Sequence, residues 1–300
     1  MSAPPGRPEH DNAGFALVAV LLFLLFVAAI VAPFAMAART NWLVAANRAQ
    51  QDRLDGLADA VLTLVAMRQL GTAGVATRQS LPLNSQPVVC KISGYLVTAE
   101  LQDQTGLVDL NAADASTLAT GLRALGVSED QADDLAEAIV TYRSYEPQSE
   151  TRGAEVEIFG GAKRGPFESV IELSDFQPLR DIPPAALYAT FTVHSRLGIV
   201  VSSRAPKRLA IMMENAASPH ADAGASRSPT AISVAVEAPK SPFRGHSAYL
   251  IEPSTRRDRP FRRIEKLLAA RDETRDIQSQ VTCPAPLSSD IAQVLAGLGP

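Results

Sequence analysis

Residues 13–38 read AGFALVAVLLFLLFVAAIVAPFAMAA, with no charged side chain anywhere from Phe15 to Ala38. A helix over 15–38 would span ~36 Å, enough to cross a hydrocarbon core of ~30 Å with some tilt. The residues before it, MSAPPGRPEHDN, are polar and proline-rich. An ordinary secretory signal fits poorly. Ala35-Met36-Ala37 offers a small-x-small site, but the apolar run is too long, and Arg7 is outweighed by Glu9 and Asp11. A plain single-pass anchor is the simpler alternative. Arg39, Arg48 and Arg53 follow the apolar run, and counting cations alone would keep the rest of the chain in the cytoplasm.

The apolar pattern does not stop at the membrane segment. Leu54, Leu57, Ala58, Val61, Leu62 and Val65 recur at steps of three and four, while Gln51, Asp52, Asp55 and Asp59 lie opposite. Gly71 and Gly74 supply a stop. The expectation is one helix over 15–70, kinked at Pro33, with a membrane half and a packing half.

Strand signals follow. Residues 88–92 read as one strand, Ser93-Gly94 as a tight turn, and 95–102 as a half-buried strand alternating Val97, Ala99, Leu101 with Thr98, Glu100, Gln102. After a turn at 103–106 and an extended stretch at 107–110, the pattern becomes helical. Asp114 caps a helix over 115–125 that Gly126 ends, and Ser128 with Gln131 forms a capping box for a helix reaching Tyr142. Ser169 with Glu172 is a second capping box, and Pro183-Pro184 suits a helix start. Residues 215–230 are small, polar and aperiodic and read as a flexible loop; strands return at 231–236, 248–251 and 261–268. A helical block between two sets of strands is an insertion in an α+β fold.

A polar leader ending in Gly14, then Phe15, then an unbroken apolar helix resembles the processing site of type IV pilins and pseudopilins. The order of the remaining parts resembles one family in particular, general secretion pathway protein K, the large minor pseudopilin of type II secretion systems. The matching residues are Asp103, Gly106, Leu110 and Asn111, then Leu125-Gly126-Val127, Gly153-Ala154-Glu155, Gly165-Pro166-Phe167 with Ser169-Val170, and Glu172-Leu173. The resemblance implies a leader at 1–14, cut between Gly14 and Phe15, a membrane half at 15–38 and a periplasmic helix half at 39–70. It implies a pilin-like β part at 71–110, an inserted all-α domain of helix-hairpin-helix or SAM-like type at 111–195, and a remaining pilin-like part at 196–300. Fold class is then α+β, a long N-terminal helix packed on an antiparallel sheet.

The same resemblance implies an inner-membrane protein with its C-terminal domain in the periplasm. Its expected partners are minor pseudopilins I and J, the major pseudopilin and prepilin peptidase, met through Trp42, Leu43, Leu54, Leu57 and Val61. Major pilins carry a glutamate at the fifth mature position; here that position is Ala19. A lone carboxylate in lipid costs a few kcal/mol, so a subunit at the pseudopilus tip, with no neighbour above it, does better without one. Family members also carry an acidic loop fit for calcium, of which Glu155 and Glu157 are the surviving candidate ligands, with Glu146 and Glu150 nearby.

Other chemistry finds little footing. A net charge of −4 gives no global attraction to nucleic acid. The hairpin around Gly126 also resembles helix-hairpin-helix modules of DNA-uptake proteins, the competing functional reading. Its Leu125-Gly126-Val127-Ser128-Glu129-Asp130 lacks a second glycine and places two acids where a phosphate would sit. The basic run Arg256 to Arg263 reads as a hairpin tip, and the acidic run on 129–137 as a helix start favoured by the helix dipole. His194 and His246 stand isolated, and no hydrolase, zincin or P-loop pattern occurs, so no catalytic role is expected. Cys90 and Cys283 form either one disulfide, in an oxidising compartment, or two unpaired buried thiols.

Overall fold

The computed structural model describes residues 13–71, 81–144, 156–161, 163–215, 228–254, 256, 259–267 and 281–297. The chain divides into two units, Met1–Asp52 and Arg53–Pro300. The first is the leading part of helix α1 (Ala13–Gly71), which continues through Pro33 without interruption. Its large apolar side chains, from Leu17 to Met36, are all exposed. Among the described residues, α1 alone is long and apolar enough to cross a membrane.

The second unit contains the rest of α1 and the remaining elements. In chain order these are β1 (Val88–Ile92), β2 (Tyr95–Asp103), β3 (Val108–Asp109), α2 (Ala115–Leu125), α3 (Glu129–Arg143), α4 (Pro184–Tyr188) and β4 (Phe191–Thr192). Then come α5 (Lys207–Asn215), β5 (Thr230–Glu237), β6 (Arg244–Pro253), β7 (Phe261–Lys266), β8 (Val281–Thr282) and α6 (Ala285–Gly297). Six strands form one sheet in the order β7-β6-β5-β2-β1-β8, antiparallel throughout except for the β1–β8 pair. The fold is α+β, a long N-terminal helix packed on a largely antiparallel sheet with further helices.

The sheet core follows the periodicities read from the sequence. Leu54, Leu57, Ala58, Val61, Leu62 and Val65 of α1 are buried against Val97, Ala99 and Leu101 of β2 and Ile232, Val234 and Val236 of β5. Period 3.6 on the helix meets period 2 on the strands, so one stripe covers one face. At Gly245 of β6 the two backbones nearly touch. A Cβ there would lie 2.1 Å from the Leu54 carbonyl oxygen. Polar groups fix the register beside it: His246 N–H donates to Asp55 Oδ1 at 2.8 Å, and Ser247 Oγ to Asp59 Oδ1 at 3.0 Å.

The β1–β2 hairpin turns at Ser93 and Gly94, both with positive φ (51° and 85°), the mirror-image turn that matches strand twist. β2 departs from the expected half-burial. Its second face is also covered, with Thr98 at 9% and Gln102 at 7% exposure.

A second core is helical. Leu118 and Leu122 of α2, Leu135 and Ile139 of α3, and Phe176 and Phe191 are buried together, with the Phe167 and Tyr142 rings 4.9 Å apart and tilted by 35°. Asp114 caps α2 by accepting from Thr117 N–H at 2.8 Å, and Gly126 ends it in the left-handed region, φ 97°. Ser128 does sit at the start of α3, but its hydroxyl donates to Gln131 Oε1 at 3.0 Å instead of capping backbone N–H. The Ser169–Glu172 capping box forms as expected, although on a 3-10 turn (Val170–Asp175). This core extends beyond residue 195, where the sequence reading ended the helical block, because Leu209 and Met213 of α5 pack into it.

Gly245 and Gly56 form a matched test of the helix–sheet contact. Gly245→Ala should cost about 1–3 kcal/mol, because backbone must move to admit the methyl. Gly56→Ala, in the same helix with nothing within 4 Å, should stabilise by about 0.5–1 kcal/mol. Thermal unfolding of the two variants checks both signs.

Candidate functional site

The exposed apolar helix and the junction where the helical block leaves the sheet are the features the fold sets up. β2 and β5 are antiparallel neighbours, with Asp103 opposite Thr230. Everything over 104–229 is therefore an excursion out of one strand pair. The chain leaves and returns through a single carboxylate. Asp103 Oδ1 accepts from Thr105 N–H (2.9 Å), Thr105 Oγ1 (2.7 Å) and Ser228 Oγ (2.5 Å), and Oδ2 accepts from Arg204 Nη1 (2.6 Å).

Gln102 Nε2 donates to the Arg204 carbonyl at 2.9 Å, and Val201 N–H to the Thr105 carbonyl at 2.8 Å. Gly106 lies so close that a Cβ would fall 2.1 Å from the Arg204 carbonyl oxygen. A buried carboxylate that accepts four hydrogen bonds, one of them from a cation, is tolerable; one left without its partner is not.

Asn111 of the same motif, and the neighbouring Asp109 and Arg143, also prove structural. Asn111 uses both halves of its amide on one residue, donating to the Phe167 carbonyl at 2.9 Å and accepting Phe167 N–H at 2.8 Å. Asp109, 1% exposed, accepts N–H groups of Asn111 (2.8 Å) and Ala112 (3.0 Å) on one oxygen and of Arg196 (2.8 Å) on the other. Arg143 donates to the carbonyls of Leu110 and Ala113. Burial lowers its pKa, partly offset by Asp109 and Asp114. The motifs that hold Asn111 and Phe167 are legible in the sequence, but their pairing is not, and Asp109 and Arg143 carry no signal that singles them out.

Gly14 and Phe15 lie within the first turns of α1. Trp42 and Leu43 are exposed, at 69% and 46%. Leu54, Leu57 and Val61, expected at a partner surface, are instead 3%, 3% and 0% exposed. They pack on the protein's own sheet, where their burial is intramolecular. Glu155 lies outside the described residues, as do Glu146, Glu150 and the Gly153-Ala154 part of its motif. Glu157 is exposed, and its backbone carbonyl accepts from Gln177 N–H at 3.1 Å. Among the described residues no group of three or more His, Cys, Asp or Glu could hold a metal.

A cleft of about 440 Å³ lies between the polar face of the sheet and the helical layer. Its polar lining is engaged internally: Thr192 Oγ1 donates to Gln104 Oε1 at 2.6 Å, Ser85 Oγ to Gln102 Oε1 at 2.7 Å, and His194 faces Glu265 at 3.6 Å. Ser233 Oγ and His246 Nε2 are 3.0 Å apart. The helix-hairpin-helix element presents Glu129 and Asp130, both exposed, in the first turn of α3, with Arg123 3.6 Å from Glu129. A nucleic-acid phosphate would meet negative charge there. Ser254 N–H donates to the Pro260 carbonyl at 2.8 Å between β6 and β7, and of the basic run Arg262 and Arg263 lie in β7 itself, where they pair with Glu252 and Asp59. The two cysteines are joined as a disulfide, which settles the alternatives left open by their spacing.

No protein-family model matches the chain, and no curated protein does. Among solved structures, the chain is similar to one in the GspK-GspI-GspJ complex from the enterotoxigenic Escherichia coli Type 2 Secretion System. The likeness covers 75% of this chain and 99% of that one, with 13% identity and a TM-score of 0.48.

Removing the carboxylate by Asp103→Ala should destabilise by about 3–5 kcal/mol, since Arg204 loses its buried partner; chemical denaturation measures the loss.

Acid should act through different groups. A backbone hydrogen bond from Thr117 holds Asp114 below its ordinary 3.8. Burial opposes ionisation of Glu172, yet the Lys163 ammonium and the N–H groups of Glu168 and Ser169 outweigh it and hold the carboxyl below 4.5. Both folded-state values are depressed, so both contributions are full above the unfolded values and are lost as pH falls through the folded ones. Stability should therefore decline below pH 4.5, and less steeply in Glu172→Gln, as read by thermal melts across pH.

Proposed function

We propose that this protein is a minor pseudopilin at the tip of a type II secretion pseudopilus, where it assembles with other minor pseudopilins to start the fibre and so supports protein export across the outer membrane. The observation that carries the reading is one continuous helix that is free of charge over 15–38 and whose later part, from Leu54 to Val65, packs on a largely antiparallel sheet. The helical excursion between β2 and β5 adds the bulk expected of a subunit that caps a fibre. A head much wider than its neighbours cannot be repeated at a short axial rise. Ala19, replacing the acidic residue of major pilins, points the same way.

In this reading prepilin peptidase cuts between Gly14 and Phe15, and residues 15–38 hold the protein in the inner membrane. The C-terminal domain lies in the periplasm, an oxidising compartment in which the Cys90–Cys283 disulfide is at home. Small residues such as Ala28, Ala29 and Ala32 admit close helix–helix approach to the major pseudopilin and to minor pseudopilins I and J. With Leu54, Leu57 and Val61 committed to the core, Trp42 and Leu43 are the anchors left for those partners. The work is assembly, not catalysis.

N-terminal sequencing of the mature protein from membranes should begin at Phe15. A start near Ala38 would mean a secreted soluble protein, and an intact Met1 a plain anchor; either sinks the proposal. Trp42→Asp should weaken co-purification with the two minor pseudopilins by at least about tenfold while leaving the melting of the second unit unchanged. Undiminished co-purification would remove this part of the helix from the interface.

A further inference from the structure

The C-terminal segment is held to the sheet by a two-residue ladder, one apolar face of α6 and one covalent bond. β8 pairs with β1 through only two residues, Val88 with Val281 and Val89 with Thr282, and Cys283 N–H donates to the Val89 carbonyl at 3.2 Å. α6 contributes Leu287 and Ile291 to the sheet core, and Asp290 pairs with Arg68 of α1. The disulfide joins Cys90, in the middle of β1, to Cys283, with Cα atoms 4.8 Å apart and a sequence separation of 193. Without this segment β1 would be the outermost strand on its side of the sheet. Its sequence, Val-Val-Cys-Lys-Ile, is β-branched and carries one charge, the kind of edge that proteins normally cover or blunt.

We infer that residues 281–297 form a redox-set latch: with the Cys90–Cys283 bond made, they seal the outer edge of β1, and with it reduced, they release that edge while the rest of the sheet stays folded. The physical basis is effective concentration. The bond keeps β8 at its two-residue docking site however weak that site is alone, and breaking the bond leaves the segment to the short ladder, one ion pair, the buried Leu287 and Ile291, and the partly buried Ala292, Val294 and Leu295 of α6.

Closure is a two-electron oxidation. The two thiols give up two protons and two electrons to a donor disulfide of the dithiol–disulfide oxidoreductase class, which leaves as its dithiol after a mixed-disulfide intermediate. Cys90 is 1% exposed in the closed state, whereas Cys283 is half-buried, so exchange begins at Cys283. The latch does not depend on the secretion reading: it closes in any oxidising compartment, and it opens when a reduced dithiol of the same oxidoreductase class gives two electrons and two protons to the Cys90–Cys283 bond and leaves as its own disulfide.

Amide hydrogen exchange on the full-length protein in detergent, oxidised and after treatment with tris(2-carboxyethyl)phosphine, tests it. Exchange at 285–297 and in 88–92 should become at least about tenfold faster on reduction, with β2, β5 and β6 unchanged. Unchanged protection at 285–297 in protein whose mass shows both thiols free would overturn the inference. Loss of protection spreading through β2, β5 and β6 would overturn it as well, since the bond would then hold the whole domain. Reducing the folded wild type avoids any folding defect of a Cys90→Ser/Cys283→Ser variant, which should reproduce the reduced pattern if it folds.

Discussion

One contact organises the second unit: the face of α1 from Leu54 to Val65 seated on the sheet, closest where Gly245 lets backbone meet backbone. The sheet alone would expose Val97, Ala99, Leu101, Ile232, Val234 and Val236 along one face. The helix alone would expose its matching stripe. Burying each apolar side chain contributes roughly 1.5–3 kcal/mol, so the pairing of the two faces outweighs any single polar interaction in the molecule. It also fixes position. Asp55 and Asp59 of the helix engage β6 only when the strand lies at one height along it.

A second constraint works at the other end of β2. An insertion can extend a strand pair only if its two ends return to the spacing of adjacent strands, about 4.8 Å. Here Asp103 meets that condition chemically, binding the outgoing Thr105 and the incoming Arg204 and Ser228 at once. The helical core can then form as a unit of its own, and its bulk does not disturb the ladder between β2 and β5. The residues that looked like a family signature are, in the structure, the fasteners of this arrangement. Asp103 and Gly106 hold the junction, and Asn111 ties the start of the helical block to Phe167 by imitating a strand neighbour.

The local signals were readable wherever they were strong. The limits of α2 were read to the residue, because Asp114 and Gly126 act on backbone groups within a turn of themselves. β1, β2 and β5 follow from alternation and turn chemistry, whereas the basic run expected at a hairpin tip extends into β7, which holds Arg262 and Arg263. β4 and β8, two residues each, and α5 and α6 were missed. Such short strands carry no period, and they exist only because a partner strand is already present. Ser128 misled for a related reason: the capping pattern was there, but the hydroxyl found the side chain of Gln131 a better partner than the backbone.

The sequence by itself determined that one helix has an apolar leading part and an amphipathic later part, that strands flank a helical block, and where most of these elements begin and end. These properties are written in hydropathy period and capping residues, which act within a few positions. Only the tertiary structure decided that Leu54, Leu57 and Val61 serve the protein's own core and not a partner. It also decided that Cys90 meets Cys283, and that the excursion opens and closes at one carboxylate. Those outcomes depend on which distant surface reaches a residue first, and a stripe of leucines reads the same whether its own sheet or a neighbouring subunit covers it.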